Sequence, residues 1–134
     1  MKNSFGFGPA QVLSLAICVV AVTTAQSATT RTWTGNAPGV NALWNVSTNW
    51  SNTNAPVAGD ALVFPTNVTK LQVTNDFANN TDFASFDIRN SYILRGNGLD
   101  LSNGVTVSTT GSVPVIHINL RLIANCPFEV DNQT

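Results

Sequence analysis

The sequence predicts an all-β chain, and two observations carry that prediction. From Arg31 onward, no window keeps apolar residues at the i, i+3, i+4, i+7 spacing of an amphipathic helix for more than a turn, whereas apolar and polar residues alternate repeatedly. The alternating runs are short and are separated by Gly, Asn and Ser, which favour turns. Such strands suit a β-sandwich or a β-solenoid, and the lack of long strands joined by hairpin dipeptides favours the solenoid.

The individual strands are predicted from alternation bounded by turn residues. They cover 61–64, 70–74, 82–88, 92–95, 99–101, 105–107 and 115–122, and another begins near 128–130. Residues two apart are expected to point inward in the pairs Phe86/Ile88, Leu99/Leu101, Val105/Val107, Ile116/Ile118 and Phe128/Val130. In the clearest strand, 115–122, we expect Ile118 to be buried and His117 to be exposed.

Residues 1–28 have the layout of a secretory signal peptide. Lys2 is the only charged residue before Arg31, and between them lies the predominantly apolar run 12–22. That run is shorter than the roughly 20 residues that span a bilayer, and small residues suited to signal peptidase follow it. We therefore expect cleavage near residues 25–28 and a secreted or cell-surface protein with no membrane span in its mature chain. The remaining residues, 29–134, are expected to form one strand-rich segment.

Composition limits the function classes. The chain has 6 Lys and Arg against 7 Asp and Glu, so no charge excess attracts nucleic acid or an anionic membrane. Charged residues make up 10% of the chain, well below the roughly 25% of an average soluble domain. Because Cys18 lies in the predicted signal peptide, Cys126 has no partner for an internal disulfide in the mature chain, and we expect it to be a buried small apolar residue.

Trp33, Trp44 and Trp50 are the most conspicuous candidates for a binding role. Flat indole rings can stack on sugar rings, but large aromatic side chains more often seal a core. We therefore expect the three tryptophans to close one end of the solenoid.

The polar candidates form no recognisable site. Asp60 precedes a strand and is expected to bond its own turn. Asp76, Asp82, Asp87 and Asp100 match no calcium-loop spacing. His117 is the only histidine and is expected to face solvent. Three arginines are candidates to line a groove that binds acidic polysaccharide: Arg89, Arg95 and Arg121. We expect no catalytic, cofactor-binding or metal-binding residues, and the sequence leaves the ligand-binding residues unknown.

Five asparagines satisfy the N-x-S/T rule for glycosylation: Asn45, Asn49, Asn67, Asn79 and Asn132. In a chain rich in Asn and Thr, such matches arise by chance, and we expect most of these asparagines to be turn residues.

An ordered series of motifs resembles the start of proteins with autotransporter-associated β-strand repeats. The series includes Thr32-Trp33-Thr34-Gly35, Leu43-Trp44, Asn49-Trp50, Pro56-Val57-Ala58-Gly59-Asp60-Ala61-Leu62-Val63-Phe64, Thr74-Asn75-Asp76, Phe83-Ala84-Ser85-Phe86 and Leu94-Arg95-Gly96-Asn97-Gly98-Leu99. The resemblance covers residues 32 to about 130. It implies a right-handed parallel β-helix in an exported bacterial surface protein, of which this chain would be the N-terminal cap and first coils.

Two classes of function follow. The first is a non-enzymatic exported solenoid segment, acting as a stalk, adhesin portion or cap, with extracellular polysaccharide or protein as its partner. The second is the N-terminal part of a polysaccharide-active β-helix enzyme, or a carbohydrate-binding module. The missing catalytic residues and the resemblance favour the first class. An unpaired last coil is also expected to self-associate through its C-terminal edge.

Overall fold

The computed structural model describes residues 28–111 and 113–133. The predicted signal peptide, residues 1–28, lies outside these ranges except for Ala28. The strands are β1 Thr30–Thr32, β2 Ala61–Phe64, β3 Gln72–Asn75, β4 Thr81–Phe83, β5 Ser85–Ile88, β6 Ile93–Gly96, β7 Leu99–Leu101, β8 Val105–Thr110, β9 Val115–Ile116, β10 Leu120–Leu122 and β11 Phe128–Gln133. Two short 3-10 helices, Ser47–Asn49 and Ser51–Thr53, lie between β1 and β2.

The strands form three sheets, and each sheet takes one strand from each coil of the chain. The first sheet has the order β1-β2-β5-β8-β11, the second β3-β6-β9 and the third β4-β7-β10. All pairings between these strands are parallel. The chain is therefore a parallel β-solenoid of about three turns, as predicted, and the β-sandwich alternative is wrong.

Coils of roughly 20 residues stack in register. Phe64, Ile88, Val107 and Val130 occupy equivalent positions in successive strands of the first sheet. In a parallel ladder, residues in register project to the same face, so each inward apolar side chain stacks on its counterpart in the coil before. The core is thus a set of apolar columns along the solenoid axis, which explains why short two-residue inward pairs recur along the sequence.

The corners between sheets require glycine where coils approach each other closely. Gly96 has a φ of 104°, and a Cβ atom there would lie 2.1 Å from the carbonyl oxygen of Asn75 in the previous coil. Gly104 has a φ of 103°, and its Cβ would lie 2.5 Å from the carbonyl oxygen of Pro127 in the next coil. A side chain at either position would combine left-handed backbone strain with a backbone clash.

The predicted strand over 115–122 is divided by a corner. β9 belongs to the second sheet and β10 to the third, with the residues 117–119 between them outside both strands. Ile118 is buried and His117 is exposed, as expected. A second predicted strand, 82–88, likewise divides at Ala84 into β4 and β5.

Candidate functional site

The three tryptophans form one buried aromatic cluster at the N-terminal end of the solenoid. All three are at most 1% exposed. Trp50 meets the ring of Trp33 edge to face at a centroid distance of 5.2 Å and that of Trp44 at 6.3 Å. Phe64, from the first complete coil, packs against all three indoles. The cluster joins the segment before β2 to the core, so the tryptophans seal this end as expected.

The same burial weighs against the sugar-platform alternative. A stacking platform needs an accessible ring face, whereas these rings are covered by one another and by Phe64. Two indole N–H groups are satisfied internally, since Trp50 donates to the Trp44 carbonyl at 2.6 Å and Trp33 donates to the Lys70 carbonyl at 3.1 Å. The Trp44 Nε1 is buried with no hydrogen-bond partner.

The segment 33–60 also contacts the first strand of each sheet at the sealed end. Trp33 bridges Trp50 beside β1, and Leu43 bridges Thr74 of β3. The Gly59 N–H donates to the Asp82 carbonyl of β4 at 2.9 Å. This segment therefore contacts the first strand of each sheet, at Thr32, Thr74 and Asp82, and we call residues 33–60 the cap.

Asn49 holds the cap together from the last residue of the first 3-10 helix. Its side chain is fully buried. The side-chain oxygen accepts from the Ala37 N–H at 2.9 Å, and the Nδ2 donates to the carbonyls of Asn41 and Leu43 at 3.3 and 3.0 Å. One amide thus fixes a loop that no regular secondary structure supports.

Lys70 fastens the same loop to the solenoid. Its Nζ donates to the carbonyls of Ala37 and Asn41 at 2.7 and 2.8 Å. A groove of about 540 Å³ lies beside it, lined by residues 39–40 and 69–72. Because the Lys70 ammonium donates hydrogen bonds to two carbonyls of the cap, we assign it the role of holding the loop beside this groove.

The carboxylates lie apart or are bound by arginines. Asp60 accepts from the Val57 N–H of its own turn at 3.0 Å, as expected, and from the Arg31 Nε at 2.9 Å. Asp76 accepts from the Asn45 N–H at 2.8 Å. Asp87 pairs with Arg89.

Asp82 and Asp100 are adjacent on the third sheet and are the closest approach to a carboxylate pair. They are in register on β4 and β7, and Arg121 of β10 follows Asp100 in the same column. The Arg121 Nε donates to Asp100 at 2.8 Å, and this hydrogen bond holds the pKa of the Asp100 carboxyl below its ordinary value. Asp100 is thereby held ionised and engaged, while one Asp82 oxygen is buried without a partner.

The remaining predicted candidates do not converge. Arg89 follows the first sheet, Arg95 lies on the second and Arg121 on the third, so the three do not line one groove. His117 is exposed at a corner, as expected.

Cys126 is only half-buried, contrary to expectation, and its thiol donates to the Leu101 carbonyl at 3.4 Å. It lies in the corner between β10 and β11, beyond which the described residues place no further coil.

The C-terminal end of the solenoid is open. In one inward column Leu62, Phe86 and Val105 are at most 1% exposed, whereas Phe128 is 55% exposed. In the next column Val107 is 3% exposed and Val130 is 58% exposed. Leu122 of the third sheet is 39% exposed above a fully buried Leu101. We call the inward residues of β10 and β11 the floor of the solenoid.

Sequence reasoning missed Asn49 and Lys70. Asn49 appeared in the sequence only as part of a glycosylation motif and of the Asn49-Trp50 pair in the resemblance, and Lys70 only as the start of a predicted strand. The partners of both are backbone carbonyls and an N–H group between residues 37 and 43, which leave no mark in the side-chain pattern. A polar residue beside a tryptophan in a segment without periodicity is the one signal that pointed to Asn49.

In the ranges that the structure describes, no helix has the length and hydrophobicity needed to cross a membrane. The same residues bring together no group of three or more His, Cys, Asp or Glu side chains arranged to hold a metal ion. Comparisons of the chain with protein-family models, with curated proteins and with solved structures find no match.

Proposed function

We propose that this chain is a non-enzymatic, exported β-solenoid segment that caps the N-terminal end of a bacterial surface or secreted protein. The observation that carries the proposal is the contrast between the two ends. At one end the cap contacts the first strand of every sheet and contains the buried tryptophan cluster, whereas at the other end the floor leaves Phe128 and Val130 more than half exposed. A structure sealed at one end only is what a terminal unit of a solenoid requires.

The arrangement of polar groups supports a structural role over catalysis. General acid–base chemistry needs groups that converge on an accessible cleft. In the described residues, Asp60 and Asp76 accept backbone N–H groups, Asp87 and Asp100 pair with arginines, and Asp82 lies beside the paired Asp100 on the third sheet. Binding of extracellular polysaccharide or protein along the flat sheet faces remains part of the proposal, since solenoids bind through extended surfaces.

Export is the part of the proposal that is simplest to test. Cells producing the protein are fractionated, and the N-terminus of the recovered chain is sequenced. We expect the mature protein to begin between Gln26 and Thr29 and to lie outside the cytoplasm. The matched control, Leu15→Arg, places a charge in the apolar run and should leave the chain unprocessed. An intact Met1 terminus on a cytosolic wild-type protein would refute export.

The non-enzymatic role is tested separately against the carbohydrate-binding alternative. Purified protein is titrated with soluble cell-wall and extracellular polysaccharides while tryptophan fluorescence and released reducing sugars are followed. We expect no tryptophan quenching and no release of sugar, because the indole rings are buried. Saturable quenching, or turnover of any polysaccharide, would favour the second class of function.

A further inference from the structure

The strand edges at the C-terminal end of the solenoid and the floor form a continuous surface of backbone groups and apolar side chains. Each of β9, β10 and β11 is the last strand of its sheet, so within the described residues each pairs on one side only. The floor lies between these three edges. A partner that adds a strand to each edge would hydrogen-bond the free backbone groups and bury the floor in one step.

The registers of the existing ladders define the geometry of such a partner. β11 pairs with β8 in parallel over six residues, from Phe128 with Val105 to Gln133 with Thr110. Continuing this ladder places apolar side chains over Phe128 and Val130, just as Phe128 and Val130 themselves lie over Val105 and Val107. The partner therefore needs alternating apolar residues at the spacing already used by β8.

Charges on the outward faces define its polar positions. Glu129 projects outward from β11, and Arg121 projects outward from β10 with 66% of its side chain exposed. A strand beside β11 is favoured by a basic residue next to Glu129, and a strand beside β10 by an acidic residue next to Arg121, because directly neighbouring side chains on a sheet face interact. The Asp100–Arg121 pair already shows this arrangement between two coils.

We propose that the open end docks a further parallel coil with apolar inward residues, a basic residue beside Glu129 and an acidic residue beside Arg121. This inference rests on the proposed role as a cap, and it adds the chemistry of the segment that the cap receives. The occupant adopts the register of the β8–β11 ladder and completes the burial of Phe128, Val130 and Leu122.

A second copy of this chain fits the surface less well in either orientation. Tail to tail, a two-fold axis pairs β11 with its own copy and brings the acidic Glu129 of both chains onto one ribbon, where like charges repel. Head to tail, the floor meets the Arg31–Asp60 ion pair, because Arg31 is in register with the inward Leu62. Burying that pair against apolar side chains carries a desolvation penalty.

The test adds one coil to the protein. Gln133 is in register with Thr110, and residues 111–133 follow Thr110 in the parent chain. A second copy of residues 111–133 is therefore joined directly to Gln133, so that the added coil keeps the length of the coil before it. Within the added copy only, Arg121→Asp and Glu129→Lys supply the opposite charges. We expect the melting temperature to rise by more than about 5 °C, because the added coil buries the floor, and the extended protein to sediment as a monomer.

Two matched extensions control the result. The same copy with its original Arg121 and Glu129 should give a smaller rise, because like charges then neighbour each other. The complementary copy with Phe128→Ser and Val130→Ser should give no rise, because it cannot bury the Phe128 and Val130 of the parent chain. Equal melting temperatures for all three extensions, or a parent that is a tight dimer destabilised by extension, would overturn the inference. Loss of export with a normal gain from extension would instead refute the proposed function alone.

Discussion

At the scale of single residues, the polar side chains that matter most in this protein bind backbone atoms. Asn49 links three backbone groups of the cap, and Lys70 links two. Both replace the hydrogen bonds that a strand or helix would supply. Asn49 also belongs to an N-x-S motif, and since its amide is fully buried, a glycan attached there is incompatible with the folded cap.

Substituting Asn49 tests this assignment. Asn49→Ala leaves the Ala37 N–H without its buried acceptor, and we expect a loss of about 2 kcal/mol of stability, measured by denaturant unfolding. Asn67→Ala is the control, because Asn67 is also in a glycosylation motif but is exposed, and its cost should stay below about 0.5 kcal/mol. Similar losses at the two positions would contradict the role of Asn49.

Tyr92 provides a test by alkaline titration. Its ring is buried, its hydroxyl donates to the Pro65 carbonyl at 2.8 Å, and burial raises the pKa of the hydroxyl above the ordinary value of 10.0. The neutral phenol therefore stabilises the fold fully below the pKa of the unfolded chain, and this contribution is lost as pH rises through that value toward the folded pKa.

Tyr92→Phe removes that pH dependence. We expect wild-type stability to fall between about pH 9 and 11 while the variant, which retains the ring, falls less steeply. At neutral pH the variant should be less stable by about 1 kcal/mol, because the hydrogen bond to Pro65 is lost. The measurement is the difference between the two curves of unfolding free energy against pH, in which the lysine and arginine contributions cancel. Parallel curves would show that Tyr92 does not titrate differently in the folded state.

At the scale of elements, alternation in the sequence identifies inward residues but does not show where a strand turns a corner. The run 115–122 alternates without interruption, yet β9 and β10 lie in different sheets. The alternation persists because Ile118 at the corner also points to the axis, between Ile116 on one side and Leu120 on the other. The alternation of apolar and polar side chains therefore predicted which residues lie in the core, but it did not predict the corner between β9 and β10.

The corner residues yield a paired prediction. Ile118→Asp places a carboxylate in the core and should destabilise the protein by several kcal/mol. His117→Ser changes an exposed side chain next to it, and the effect should be below about 0.5 kcal/mol. Thermal and denaturant unfolding of the two variants supply the measurement, and equal effects would mean that the inward face is assigned to the wrong residues.

At the scale of the whole molecule, burial depends on a residue's position along the solenoid. Val107 and Val130 have the same side chain and occupy one column, but the first is 3% exposed and the second 58% exposed. Only the presence of a following coil distinguishes them.

Truncating these two valines measures that difference. We expect Val107→Ala to cost about 2 kcal/mol, as burial of a valine and the resulting cavity require, and Val130→Ala to cost less than half as much. Val130→Ala should also weaken any concentration-dependent association seen by light scattering, because it removes part of the floor. A larger loss at Val130 than at Val107 would show that the C-terminal end is covered.

The sequence predicted the fold class, the inward pairs and the sealing tryptophans, since each depends on apolar periodicity or on large aromatic side chains. It did not predict the cap's internal bonds or the partition of the arginines among three sheets. The cap's bonds and the positions of the arginines depend on the number of residues in each coil. That number varies, because the in-register residues Phe64, Ile88 and Val107 are separated by segments of different length. The turns absorb those differences, and no side-chain period records them.

The sealed cap gives the molecule a direction of growth. Phe64 of the first complete coil packs against the tryptophan cluster on one side and against Phe86 and Tyr92 of the second coil on the other. The cap is the one neighbour of that coil that does not depend on a later coil. The cap therefore gives the ordering of the coils a fixed starting point on the N-terminal side, as a filament blocked at one end elongates from the other. This is also the order in which a ribosome makes the coils, so each new coil would find its template already folded.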